Sequence, residues 1–268
     1  MAPILFKRTN FYKKHKYRLA RANDLLSFFS ALCLIFFLVG DQSHMALKRH
    51  ALSNEIQFSA ILTGLHSGIY SIDDRVIRAM AQVPRHDYVN RPYQNFAYFN
   101  VALPVDGQDY MIPEPFVTAI MVHLMNINEN DNVLEVGFGY GYDAAVIAKL
   151  AKTVHSVRQS DGKFDELSRN IKSPAPALEK NIHIKKSKGL LGWPEAGPYD
   201  SILVRQSMTE PPLALLKQLK PGGRMIIPIG PASENQRLMV YERKLDGSIA
   251  SRSTLHMKIS PLLKGTEI

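Results

Sequence analysis

One stretch constrains this chain more than any other: Val133 to Ala148, VLEVGFGYGYDAAVIA. An apolar run carrying Glu135 closes on three alternate glycines, Gly137, Gly139 and Gly141, and a helix of small apolar residues begins at once. Glycine has no Cβ and takes φ > 0 freely, so such a loop lays bare backbone against a ligand. The helix that follows would offer its unpaired N–H groups to the same ligand. More than one class of α/β fold uses a Gly-x-Gly-x-Gly loop, so the rest of the chain has to decide between them.

With 268 residues and 46% apolar content, the chain is long enough for one core of ordinary size plus an appendage. The formal charge of +9 suggests nucleic acid until it is divided along the sequence. Residues 1–44 carry seven Lys/Arg against Asp24 and Asp41, while the remainder carries 26 basic and 22 acidic residues. Basicity therefore belongs to the tail, and no basic-aromatic stripe marks the core as a nucleic-acid interface. Cys33 is the only cysteine, which excludes an intrachain disulfide and a thiolate metal site. The histidines are scattered, and nothing in their spacing indicates a metal.

The tail sets Lys7, Arg8, Lys13, Lys14, Lys16, Arg18 and Arg21 before the apolar run Leu25 to Gly40. A helix over that run would span about 24 Å, short of a hydrocarbon core of about 30 Å. The arrangement fits a signal peptide or short anchor, although Leu38 and Gly40 make a poor cleavage site. Met45 is an alternative start, which would make residues 1–44 an extension of the reading frame. If the tail is made, membrane attachment from the cytoplasmic side is expected, because the basic flank stays inside. Residues 45–268 are expected to form the folded domain.

After Met45, Ser71-Ile-Asp-Asp74 reads as a helix start, with Val76, Ile77, Met80 and Val83 as its stripe and Pro84 as its stop. A Pro-rich, aromatic segment follows, then a helix over Phe116 to Met125. Strands are expected at Asn132–Val136, Val154–Val157, Asn181–Ile184, Ser201–Val204 and Arg224–Ile229. Helices are expected between them at Tyr142–Lys152, Phe164–Ile171 and Leu213–Leu219. Two further β-like runs, Leu238–Glu242 and Leu255–Ile259, close the chain. Such alternation predicts a doubly wound parallel sheet with its ligand at the strands' carboxyl ends. Asp143, opening the helix after the glycines, reads as a helix-dipole residue.

From about Ile72 to Gly265 the chain resembles protein-L-isoaspartate O-methyltransferases. The match rests on Val83-Pro-Arg-His-Asp-Tyr-Val89, Ala102-Leu-Pro104, the Val133–Gly137 strand with its loop, and Gly192-Trp-Pro-Glu195. It continues through Pro198-Tyr-Asp200, Leu219-Lys-Pro-Gly-Gly-Arg224 and Pro261-Leu-Leu-Lys-Gly265. The resemblance implies an α/β, class I S-adenosylmethionine-dependent methyltransferase fold, a Rossmann-like doubly wound sheet with an N-terminal helical extension. It also implies S-adenosylmethionine as donor, and protein or peptide substrates bearing isoaspartate whose misplaced carboxylate is methylated. Donor-binding positions carried over are Glu135, Gly137, Phe138, Gly139, Gly141, Arg158, Lys188 and Gly189. Met111, Ile112 and Pro113 fall on the substrate side.

Three departures from the family pattern fall on the chemistry. Pro113 stands where the family has a serine hydroxyl, and proline offers neither hydroxyl nor N–H; Glu114 beside it would repel a carboxylate. Arg158 follows the second strand where the family has an acid for the ribose hydroxyls, and Lys188 replaces a second acid. Exchanging two acceptors for two cations removes about 3–6 kcal/mol of hydrogen bonding to charged groups. The expectation is weak donor binding. Three functions compete: the family's methyl transfer, whether intact or impaired in that way; a catalytically silent binding or scaffold relative; and a binder of a phosphorylated adenine nucleotide drawn by Arg158 and Lys188.

Overall fold

The computed structural model describes residues 45–104, 111–137, 141–159, 180–187, 191–231 and 233–257, with backbone alone at 158, 159 and 187. The chain divides into two compact units, 1–49 and 50–268. Of the first unit only residues 45–49 are described, and they are helical. The apolar run Leu25 to Gly40 lies outside the described residues. Among those described, no helix is long and apolar enough to cross a membrane.

The second unit opens with a helix over residues 50–67 (α1). Leu52, Ile56 and Ala60 bury one face at spacings of four, as a 3.6-residue period requires. Gln57 fixes the next segment by clamping Ile72 through both backbone groups, at 2.8 and 2.9 Å. Helix α2 (Asp74–Gln82) begins when the Asp73 carboxylate accepts from the Arg75 N–H at 2.8 Å, so Asp73 rather than Ser71 is the cap. It ends at Val83, forced extended by Pro84. Short 3₁₀ turns at Arg85–Tyr88 and Arg91–Phe96 lead to a two-residue hairpin pair, β1 (Leu103–Pro104) and β2 (Met111–Ile112).

Helix α3 (Pro115–Met125) is apolar on all sides and buried at ten of its positions, as befits a helix enclosed on every face. Pro115 starts it, and Asn126 stops it in the left-handed region at φ 53°. The main sheet then follows: β3 (Asn132–Gly137), α4 (Tyr142–Ala148), β4 (Thr153–Gln159), β5 (Ile182–Ser187), β6 (Tyr199–Val204), α5 (Leu213–Leu216), β7 (Leu219–Ile229), β8 (Gln236–Arg243) and β9 (Ile249–Met257). Its order is β5-β4-β3-β6-β7-β8-β9. The first five strands in that order are parallel, and β7, β8 and β9 form an antiparallel meander. The doubly wound sheet expected from the sequence is present, and the helix expected at 164–171 lies outside the described residues.

On one face, α3 packs against β6 and β7, α4 against β4 and β5, and α2 against both helices. On the other, Leu134, Val136, Val157, Tyr199, Ile202 and Val204 join Leu215 and Leu219 in a dry cluster. The order in which strands are added reverses between β3 and β6, which stay parallel. That switch point is where α/β sheets open a ligand crevice beyond the strand ends.

Candidate functional site

Gly137 ends β3 at the switch point with φ +146°, a conformation that side chains other than hydrogen rarely adopt. Space as well as backbone demands glycine there, since a Cβ would sit 2.9 Å from the Cβ of Arg205. Gly141, at φ 91°, caps the start of α4. Phe138, Gly139, Lys188 and Gly189 lie outside the described residues. The Arg158 backbone pairs with Gly137 and Lys186 at the ends of β3 and β5, which sets Arg158 at the carboxyl edge of the sheet.

Glu135 is buried in β3, in register with Ser156 of β4. The Ser156 hydroxyl donates to its Oε2 at 2.5 Å. Glu135 therefore ties two strands together beneath the glycine turn, and its charge also acts on Arg205.

Arg205 follows directly on β6, and its N–H donates to the Val136 carbonyl at 3.0 Å. From there its side chain passes Gly137 and pairs with Asp143 in the first turn of α4. Only 9% of the Arg205 side chain and 2% of that of Asp143 are exposed. Thr118 of α3 donates its hydroxyl to the other Asp143 oxygen at 2.9 Å. Burial pushes the Arg205 guanidinium down to about 10, with Glu135 opposing that shift and Arg85 adding to it. It still carries its charge at neutral pH. Asp143 is thus more than a helix-dipole residue, being the fixed counter-charge of a buried cation.

A second buried cation, Arg85, links this region to the segment around Pro113. Its two terminal nitrogens donate to the carbonyls of Ala97 at 2.7 Å and Pro113 at 2.9 Å. Its guanidinium lies 5.9 Å from the ring centre of Tyr142, the first residue of α4. Burial lowers the pKa of Arg85 and raises that of Tyr142. Met111 and Ile112 pair with Pro104 and Leu103, so Met111, Ile112 and Pro113 form one anchored segment. Burial also pushes the Glu114 carboxyl up from its ordinary value.

Glu135, Gly137 and Gly141 are therefore gathered at one place, joined through Arg85 and Tyr142 to Pro113. Four residues that sequence reasoning did not place in the site are central to it: Arg85, Thr118, Asp143 as an ion-pair partner, and Arg205. A signal for the last existed, because a cation closes the apolar strand run Ser201–Val204 where the strand must meet the crevice. Gln206 and Ser207, which follow, are buried with no partner for either amide atom or for the hydroxyl. Among the described residues, no group of three or more His, Cys, Asp or Glu side chains is placed to hold a metal.

A model of the family described as Protein-L-isoaspartate(D-aspartate) O-methyltransferase matches residues 57–267. The chain is 35% identical over 234 residues to Protein-L-isoaspartate O-methyltransferase 1 of Cupriavidus necator, covering 87% of this chain and 88% of that protein. It is 38% identical over 190 residues to the protein of the same name in Nitrosospira multiformis, covering 71% and 79%. A solved structure of a protein-L-isoaspartate O-methyltransferase superposes with a TM-score of 0.66 at 26% identity, over 80% of this chain and 65% of that one. A second, from Plasmodium falciparum in complex with S-adenosyl-L-homocysteine, gives 0.62 at 23% identity over 80% of this chain and 97% of that one, a likeness of fold.

Proposed function

The chain belongs to the protein-L-isoaspartate O-methyltransferase family, and from that premise we propose that it transfers a methyl group from S-adenosylmethionine to the carboxylate of isoaspartyl residues in proteins or peptides. The observation that carries the reading is the bare glycine turn at Gly137, braced by Glu135 and Ser156 at the sheet's switch point. Gly137 and Gly141 add no side chain of their own to that backbone, which suits an adenosyl group lying along it. Glu135, Gly137, Phe138, Gly139, Gly141, Arg158, Lys188 and Gly189 are the residues we assign to the donor side. Met111, Ile112 and Pro113 would receive the isoaspartyl segment.

When bound, the donor supplies an electrophilic methyl group. The chain's own task is then positioning, since the carboxylate nucleophile is already ionised and needs no base. Arg85 serves that task by holding the Pro113 carbonyl, which fixes the Met111–Pro115 segment against the start of α4.

The finer part of the proposal is weak donor affinity, caused by Arg158 and Lys188 standing where the family has acids. A radiolabelled methyl-transfer assay on an isoaspartyl peptide tests both parts. Methyl incorporation above that of the matching aspartyl peptide is expected. The Arg158→Glu, Lys188→Asp double variant should show a lower KM for the donor. Absence of transfer in both, together with no heat on titrating S-adenosylhomocysteine to millimolar, would overturn the reading in favour of the silent relative.

We also propose residues 45–268 as the methyltransferase domain, working in the cytoplasm with residues 25–40 as a membrane contact. The basic flank of that apolar run supports this. Fractionation of the full chain beside a chain starting at Met45 tests it: equal distribution between membrane and supernatant would sink the attachment.

A further inference from the structure

Resting on the membrane contact proposed above, we infer that the outer face of α1 is a lipid-docking surface, lying in the interface of an anionic bilayer. Phe58, Ile61, Leu62 and Leu65 recur at helical spacing, and each is more than half exposed. They lie on the opposite side of α1 from Leu52, Ile56 and Ala60, the buried stripe that holds the helix to the domain. Between Glu55 and His66 the run IQFSAILTGL carries no charge. Two further segments extend the face. Tyr70 lies against Gly64, where a Cβ would collide with its ring, and more than half of Tyr70 is exposed. Asn100 donates to the Ser59 hydroxyl at 3.2 Å, which brings the exposed Phe96–Phe99 pair, 6.0 Å between ring centroids, alongside the helix.

Apolar side chains exposed singly are ordinary, whereas a joined patch of them marks a contact. The segment upstream indicates with what. Seven Lys/Arg and the apolar run Leu25 to Gly40 precede α1, and residues 41–49 tether His50 to that run over at most about 35 Å. Once the run has entered a bilayer, the face of α1 is confined near its surface at a local concentration on the order of millimolar. Modest intrinsic affinity is then enough. A bilayer interface accepts apolar and aromatic area without a matching pattern of charges, and this face presents such area. One weak apolar anchor gives marginal attachment, and a second contact makes it stable.

Vesicle binding by the full chain tests this, with Cys33→Ala and one environment-sensitive fluorophore on Leu62→Cys or, as control, on Leu245→Cys, an equally bare leucine between β8 and β9. Vesicles of phosphatidylcholine and phosphatidylglycerol with brominated acyl chains quench what enters their apolar boundary. On the bound chain, the label at position 62 should be quenched severalfold more than the label at 245. The Phe58→Ser, Leu62→Ser, Leu65→Ser variant changes only exposed positions and should stay folded by circular dichroism. It should bind vesicles on the order of tenfold more weakly. Equal quenching at the two positions overturns the docking surface and leaves attachment through residues 25–40 standing. Emission at position 62 already blue-shifted before lipid is added also overturns it, in favour of a second copy where dilution reverses the shift and of another part of the chain where it does not. No binding of the full chain to vesicles overturns the surface and the membrane contact together, and leaves the methyltransferase reading intact.

Discussion

Ser156 donates its hydroxyl to Glu135 at 2.5 Å across two strands in register, directly beneath the turn made by Gly137. Both residues are buried, so the carboxylate has little access to replacement water. Ser156→Ala should therefore cost about 1–3 kcal/mol, the penalty for stranding a buried acceptor. Urea denaturation reads this as a lower midpoint with an unchanged slope. An unchanged midpoint would mean that Arg205 alone satisfies Glu135.

Gly137 and Gly222 both have positive φ, at 146° and 82°, but a Cβ on Gly222 meets nothing within 4 Å. Alanine at Gly222 should cost about 1 kcal/mol from backbone strain. Alanine at Gly137 adds the collision with the Arg205 Cβ, and its cost should be clearly larger. Comparing the two thermal midpoints reads the added cost at Gly137, contact and more strained backbone together. Similar losses would show that neither the contact nor the backbone at Gly137 resists a Cβ.

His123 supplies an acid-sensitive contact. Its Nδ1 accepts from the Asp73 N–H at 3.1 Å, so that nitrogen must be unprotonated in the folded chain. Burial lowers its pKa from the ordinary 6.5; the charge of Asp73 opposes this and that of Arg252 adds to it. With the folded pKa depressed, the unfolded chain takes up the proton first as pH falls. The stabilisation is thus whole above the ordinary value and is lost on descending toward the folded one. The urea midpoint should fall between about pH 7 and pH 5, and less steeply in His123→Gln. An identical slope in that variant would remove His123 as the cause.

The strands of the crevice were legible because buried parallel strands read as apolar runs, and Val133–Val136 and Ser201–Val204 do so plainly. Edges were less legible. Leu213–Leu219 reads as one helix, yet α5 stops at Leu216 because the Gln218 carbonyl accepts from the Tyr199 N–H and draws the chain into the sheet. Likewise β7 begins at Leu219, before Pro221-Gly222-Gly223 rather than after it, since Leu219 already pairs with Tyr199. The site divides in the same way. Gly137 and Glu135 announce themselves by local pattern, whereas Arg85, Thr118 and Arg205 acquire meaning only from partners far along the chain. The arginine closing Ser201–Val204 marks a strand end, but its partner is legible only once the fold sets a buried aspartate opposite it.

Arg85 offers the sharpest separation between the two halves of the site. Its planar fork reaches two carbonyls at once, those of Ala97 and Pro113, and a lysine ammonium cannot reproduce that geometry. Arg85→Lys should lose one of the two bonds, at about 1.5–3 kcal/mol. On the proposed reading the Pro113 bond is the one that matters for turnover, because it holds the Met111–Pro115 segment assigned there to the substrate. A higher KM for the isoaspartyl peptide is expected, with affinity for S-adenosylhomocysteine unchanged. The opposite split, weaker donor binding with an unaltered peptide KM, would mean that Arg85 acts through Tyr142 and α4 on the donor crevice instead.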